Sequence, residues 1–298
     1  MMRLRSRRTL GIIAALLLLA DCGQSQGTLS LPAGPPALAQ RVPRENGEVQ
    51  YFSSFGNGSL SEFDYPKSES QIGQITGVNE AQGECTKGAR TFWVVASGAV
   101  DVEEFKAGGT TPITTRSVTA GVPAGWAIDP TTGDLAVTII SNGDVVLFKP
   151  GSSAGSALPS GLVEAFLDGY DARGNLFVDG FNSSAAFQLV ELPKGSSTFE
   201  NISGVSPDGN IQWDGNYLTI GCGGEICRYR IVGTKAILKD TVPVSGCTAY
   251  WIARPYVYCT DAGNNDGEVF KYPVGGSPIA TLGGSFDEPL DVVSLRVR

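Results

Sequence analysis

Gly125-Trp126-Ala127-Ile128-Asp129-Pro130-Thr131-Thr132-Gly133-Asp134-Leu135-Ala136-Val137, then Asn142-Gly143 and Val145-Val146-Leu147-Phe148, is the clearest structural unit in this chain. Two β-rich runs flank an Asp-containing turn, and a third follows an Asn-Gly pair of the kind that favours a two-residue type I′ hairpin. Pro150-Gly151-Ser152 closes the unit. The same plan returns from Phe166 to Ser196 through Asp171-Ala172-Arg173-Gly174-Asn175-Leu176, and from Ser206 to Gly233 through Trp213-Asp214-Gly215-Asn216. It returns again from Tyr256 to Ser277 through Asn265-Asp266-Gly267.

Aligning these units exposes two apolar series in phase. Phe52, Val94, Val137, Val178, Ile220 and Cys259 are spaced 42, 43, 41, 42 and 39 apart. Tyr65, Phe105, Phe148, Leu192, Ile231 and Tyr272 follow them at offsets of 13, 11, 11, 14, 11 and 13. Two parallel series imply six copies of one supersecondary unit. A more variable fourth strand, around Thr115 to Val118, completes four strands per repeat, the size of a propeller blade. The expected fold is therefore all-β, a six-bladed β-propeller. Glu288-Pro289-Leu290-Asp291-Val292-Val293 matches the innermost-strand position of Pro123 to Asp129, yet no second strand follows it. The first repeat, near Val49, lacks an inner strand. Pairing of the C-terminal strand with the N-terminal blade resolves both and leaves no open edge.

Composition agrees with this reading. Charged residues make up 17% of 298, below the usual roughly 25%, and 39 glycines supply tight turns. Three segments are expected: a signal peptide at 1–21, a flexible tether at 22–46 and the propeller at 47–298. Arg3, Arg5, Arg7 and Arg8 precede the apolar run Leu10 to Ala20 and then Cys22, the order of an export signal. That run is too short for a spanning helix, which needs about 20 residues. Pro32, Pro35 and Pro36 lie in a Gly-, Ser-, Gln- and Ala-rich stretch, the composition of a linker. Leu19-Ala20-Asp21-Cys22 resembles the bacterial lipobox, which implies lipidation at Cys22 and a membrane-anchored, extracytoplasmic lipoprotein of the cell envelope. Asp21 departs from that pattern, where Gly, Ala or Ser is usual, and plain secretion is the alternative.

The formal charge is −8, and removing residues 1–21 takes away four Arg and one Asp. A surface this acidic repels phosphate backbones, so nucleic acid is not an expected partner. Export permits disulfides. Cys222 and Cys227 flank Gly223-Gly224-Glu225-Ile226, which a four-residue loop would close, and Cys247 and Cys259 lie on consecutive strands. Cys85 is left over.

With the repeats in view, the chain resembles NHL-type and gluconolactonase-like six-bladed propellers over about residues 49 to 298. Asp171-x-x-Gly174-Asn175-Leu176-Phe177-Val178 and Val269-Phe270-Lys271-Tyr272-Pro273-x-Gly275-Gly276-Ser277 look most like uncharacterised exported bacterial propeller lipoproteins. Many functions share that scaffold, so the resemblance speaks to fold rather than to reaction.

The absence of histidine removes several mechanisms. Gly151-Ser152-Ser153-Ala154-Gly155 fits the nucleophile-elbow pattern, but no Ser-His-Asp relay can form, and a blade connector is the better reading. The propeller lyase that opens streptogramins is associated with a catalytic His that this chain lacks. His-ligated metals are likewise excluded. Calcium needs only oxygen ligands, and gluconolactonase-like propellers hold a divalent ion on the axis with Asp, Glu and Asn. Asp129, Asp171, Asp214 and Asp291 are the matching candidates, although an Asp before x-x-Gly-Asn more often caps a turn. Asp261 to Glu268 resembles a calcium loop, but Gly263 occupies a ligand position and a hairpin turn is the expectation.

Inner-strand aromatics are the stronger binding candidates. Tyr170, Trp213 and Trp251 precede their blade's reference residue by 8, 7 and 8 positions, and Trp126 by 11. Rings at a channel mouth stack on ligand faces, and rings between blades also fill a propeller's core. The functional expectation is a non-enzymatic binding module for a protein, glycan or small molecule, with no cofactor. A metal-assisted lactonase or lyase and an envelope assembly scaffold are the alternatives.

Overall fold

Strand β9 (Leu135–Ile139), in the quoted unit, is buried at all five positions, and this shows why the repeat is so legible. A middle strand of a blade has a neighbouring blade on each face, so it reads as a continuous apolar run rather than an alternating one. A computed structural model describes residues 47–86, 90–205 and 209–297. The expected signal peptide, Cys22 and tether lie outside the described residues.

Among the described residues, strands group into six four-stranded antiparallel sheets set in a ring, a six-bladed β-propeller. The blade after the first runs β4 (Ala81–Thr86), β5 (Thr91–Ala96), β6 (Asp101–Lys106) and β7 (Thr114–Ser117). Next come β8 (Pro123–Ile128), β9, β10 (Asp144–Phe148) and β11 (Gly155–Pro159), then β12 (Glu164–Tyr170), β13 (Leu176–Phe181), β14 (Phe187–Leu192) and β15 (Glu200–Ile202). The fifth blade holds β16 (Ile211–Trp213), β17 (Leu218–Gly221), β18 (Glu225–Val232) and β19 (Lys235–Pro243). The sixth holds β20 (Ala249–Ala253), β21 (Tyr256–Asp261), β22 (Asp266–Lys271) and β23 (Ala280–Leu282). The first apolar series occupies the second strand of every blade, and all six side chains are 0% exposed.

Closure takes the expected form. The first blade is ordered β24-β1-β2-β3, with β24 (Pro289–Val297) innermost beside β1 (Gly47–Ser54), β2 (Ser59–Phe63) and β3 (Gly73–Thr76). Residues from opposite ends of the chain pair in register, Gly47 with Val297 through Phe52 with Val292. Tyr51, Val293 and Leu295 enter one buried cluster with Phe92 and Phe105 of the next blade.

Two turns differ from the sequence reading. Asn142-Gly143 does not form a two-residue type I′ turn, because Gly143 alone takes a positive φ, 75°, while Asn142 accepts the Asp144 N–H through Oδ1. A Cβ at Gly143 would meet the Leu162 carbonyl oxygen at 2.1 Å, so the close approach of the next segment also demands glycine there. The β17–β18 hairpin is tighter than the expected four-residue loop: Ile220 pairs with Cys227, and Cys222 N–H donates to the Glu225 carbonyl.

The cysteines pair as expected, Cys222 with Cys227 and Cys247 with Cys259, and Cys85 is a buried free thiol. The Cys247–Cys259 bridge spans 12 residues, which on loop-entropy grounds stabilises the fold by about 3 kcal/mol. The paired Cys247→Ala and Cys259→Ala variant is expected to lower the unfolding free energy from urea titration by that amount, with a correspondingly lower midpoint. An unchanged midpoint would mean that the bridge constrains nothing in the unfolded chain.

Candidate functional site

Six inner strands, β24, β4, β8, β12, β16 and β20, surround the axis, and glycines let them crowd together. A Cβ at Gly125 would lie 2.4 Å from the Phe166 carbonyl oxygen on the next inner strand, and one at Gly169 2.5 Å from that of Ile211. Polar side chains tie the strands further. Gln212 donates to the Ile252 carbonyl at 3.1 Å and accepts the Ile252 N–H at 2.7 Å, while Tyr250 donates to the Asn210 carbonyl at 2.9 Å.

What remains at the centre is a cavity of about 290 Å³ lined from all six blades. Trp126, Tyr170, Trp213 and Trp251 all line it, so the structure brings the four aromatic candidates to one place. Trp126 is buried, and its Nε1–H has no acceptor. Trp251 is half-buried and also packs against three core clusters, so it supports the ring walls as well as facing the cavity.

The four carboxylate candidates separate. Asp129 Oδ1 accepts from the Thr131 amide and hydroxyl at 2.7 Å each, and Asp129 Oδ2 from the Thr132 hydroxyl at 2.8 Å. Burial alone would push its carboxyl up, and these hydrogen bonds instead hold it below the usual range. Asp171 lines the cavity but accepts from the amides of Arg173 and Asn175 at 2.8 and 2.9 Å, as a turn cap. Asp214 caps a turn through Asn216 and Tyr217 and pairs with Arg228 and Arg254. Asp291 alone of the four lies on an inner strand and lines the cavity, where it accepts from Asn210 Nδ2 at 3.0 Å.

Sequence reasoning missed the most unusual group in the channel. Asp168, on β12, is 7% exposed, lines the cavity and, among the described residues, receives no hydrogen bond at either carboxylate oxygen. Burial pushes its carboxyl well above the usual range, and the charge of Asp179 on β13 adds to the effect. The available signal was a carboxylate inside the run Phe166 to Tyr170 with no turn sequence directly after it. Beside it, burial raises the Cys85 thiol, with Asp168 and Asp291 adding to the shift, so this cysteine is a poor nucleophile at neutral pH. Burial likewise raises the Tyr170 phenol.

Among the described residues, one group of three carboxylates has oxygens within 4.8 Å of one another: Asp261, Asp266 and Glu268, away from the channel. It sits at the β21–β22 hairpin that the sequence presents as a turn. Asp261 accepts from the Gly263 and Asn264 amides at 2.8 and 3.0 Å, which is that turn. Burial, then mutual charge, raises both Asp266 and Glu268.

No family model matches this chain, and no curated protein matches it in sequence. Solved structures do. A chain of a nidogen/laminin complex superposes with a TM-score of 0.65 at 12% identity, covering 83% of this chain and 98% of the other. A functionally unknown protein from Desulfotomaculum acetoxidans DSM 771 gives 0.60 at 8% identity, with 85% and 100% covered. A protein of unknown function from Bacteroides caccae gives 0.60 at 11%, with 84% and 99% covered. The likeness is one of fold. At such identities it carries no activity across.

Proposed function

We propose that this protein is a non-catalytic, extracytoplasmic binding module whose central channel takes a small organic ligand, anchored to a membrane through a lipid on Cys22. The observation that carries the reading is the convergence of Trp126, Tyr170, Trp213 and Trp251 on one cavity. An apolar, aromatic-walled hollow with a few polar groups is the common form of a small-ligand site. Its volume of about 290 Å³ lies at the small end of the usual range for such sites, about 300–1,000 Å³. That size favours a small molecule over a peptide or a glycan chain. The two disulfides support export to an oxidising compartment.

The lactonase or lyase alternative draws less support. It requires axial carboxylates close enough to share an ion. Asp168, Asp171 and Asp291 line the cavity, but Asp171 is engaged by its turn. Among the described residues, the carboxylates with oxygens within 4.8 Å of one another are Asp261, Asp266 and Glu268, away from the channel. The scaffold alternative calls for a continuous apolar face. The exposed side chains Ile113, Val163, Leu238 and Val274 sit on or beside four different blades.

Trp213 tests the channel reading, because it is half-buried and its loss should spare the fold. In a calorimetric screen of small aromatic and aliphatic compounds, Trp213→Ala is expected to weaken the best binder at least about tenfold, the effect of roughly 1.4 kcal/mol of lost ring contact. An unchanged affinity with an unchanged melting temperature would place the ligand elsewhere.

A further inference from the structure

Taking the channel as the ligand site, Asp168 identifies the class of ligand. A carboxylate buried to 7% exposure with both oxygens unpartnered is costly, because no protein group among the described residues replaces its lost hydration. The surrounding elements offer no relief. Asp179 on β13 faces it, Asp291 on β24 and the Cys85 thiol on β4 lie close enough to interact with one another, and Tyr170 follows on its own strand. Among the described residues, no lysine or arginine lines the cavity. The channel therefore has unmatched acceptors, negative charge and aromatic faces, and it lacks a cation with N–H donors.

We infer that the central channel binds a small primary or secondary organic ammonium, its N–H groups donating to the two bare oxygens of Asp168 and its apolar part resting against the four rings. Ring faces attract cations through their quadrupole, most strongly where water is excluded. A hydrogen bond between ionised partners is also about twice as strong as a neutral one. The Trp126 Nε1–H offers one further donor to an oxygen on the same ligand. Anions are disfavoured by the neighbouring carboxylates, and a neutral sugar offers no cation to form a charge-assisted hydrogen bond with Asp168.

A proton is coupled to this binding. In the empty channel, burial and Asp179 keep Asp168 protonated above the usual carboxylate range, and an ammonium beside it favours the ionised form. Binding therefore releases the Asp168 proton to solvent. Affinity rises with pH until Asp168 is already ionised in the free protein. Cys85 and Tyr170 are both raised and stay neutral through that range.

Benzylammonium and benzyl alcohol have matched shapes and differ in charge, which makes them suitable probes for calorimetry on the full chain. Benzylammonium is expected to bind at least about tenfold tighter, with an affinity that increases as pH rises above the usual carboxylate range and a proton released to the buffer. Asp168→Asn keeps the shape, should fold, and is expected to abolish both the preference and the pH dependence while leaving benzyl alcohol unaffected. Equal affinities for the two probes, or a preference that survives in Asp168→Asn, would overturn the inference. If Trp213→Ala weakens benzyl alcohol but no ammonium preference exists, the channel is a ligand site of another class. If Trp213→Ala changes neither probe, the channel reading fails with it.

Discussion

Deletion of residues 289–298 is expected to abolish cooperative folding of the entire ring, not merely to loosen one blade. Strand β24 is the inner strand of the first blade and pairs with β1 almost along its whole length. Val292, Val293 and Leu295 are at most 1% exposed. Burial of a side chain of this kind contributes about 1.5–3 kcal/mol, so three amount to roughly 5–9 kcal/mol. A whole domain is stable by only about 5–15 kcal/mol. Polar ties add to the loss. Ser53 Oγ both donates to the Asp291 carbonyl and accepts the Asp291 N–H, and Ser294 Oγ donates to Glu48 at 2.7 Å. Removing the strand also exposes β1 as an unpaired edge, an invitation to aggregation. The truncated chain should show no sigmoidal thermal transition by circular dichroism. Val293→Ala, a milder lesion, should cost about 2–3 kcal/mol and keep the transition. A truncation that melts like the full chain would show that the ring does not depend on its closing strand.

The legibility of this protein in its sequence follows from burial. Second strands such as β5 and β9 are covered on both faces, so each copy needs apolar residues at the same places and the period survives. Outer strands face solvent and lose the signal: β11 is exposed at four of five positions, and β19 carries Lys235, Lys239 and Asp240 among its apolar residues. Closure was readable because Glu288 to Val293 looked like an inner strand without a successor. The aromatic lining was readable because Tyr170, Trp213 and Trp251 keep an offset of 7 or 8 from the repeat and Trp126, at 11, falls on the same inner-strand segment. Asp168 precedes Val178 by the same ten residues as Glu84 precedes Val94, and each pairs with that reference residue, so position alone does not set Asp168 apart. Its character depends on what surrounds it, since among the described residues neither carboxylate oxygen has a hydrogen-bond partner. Asp214 was readable only as a turn cap. Two of its partners, Arg254 and Tyr272, lie 40 and 58 residues further along, in the next blade.

Those distant partners lead to the second large expected effect, on Asp214. Its side chain is 0% exposed and sits where the fifth and sixth blades meet. Its Oδ2 accepts from Arg228 Nε at 3.0 Å, Arg254 Nη2 at 3.2 Å and the Tyr272 hydroxyl at 2.5 Å, while Oδ1 takes the Asn216 and Tyr217 amides at 2.8 Å each. The Arg228 guanidinium also lies over the Tyr217 ring, 4.6 Å from its centroid, and Arg254 over Tyr272 at 4.9 Å. Burial by itself would raise the Asp214 carboxyl. The Tyr272 hydroxyl, the two amides and the Arg228 charge outweigh burial and hold it below the usual range. A depressed carboxyl contributes stability that is present above the unfolded-state value near 3.9 and is lost as pH falls through the folded one. Asp214→Ala strands the buried Arg228 with only the partly exposed Asp240 as its counter-ion. Breaking a buried pair from one side costs about 3–5 kcal/mol, far more than the pair's own net worth, because the remaining charge stays buried. The variant should therefore lose about 4 kcal/mol in urea unfolding near neutral pH, and the deficit should shrink below about pH 4, where the wild-type carboxylate also begins to protonate. Arg254→Ala removes a side chain that is 44% exposed and should cost less than about 1 kcal/mol. If both variants cost the same, Asp214 acts only as the cap of its own turn, and the two blades are joined by apolar packing and the Gln212 and Tyr250 hydrogen bonds instead.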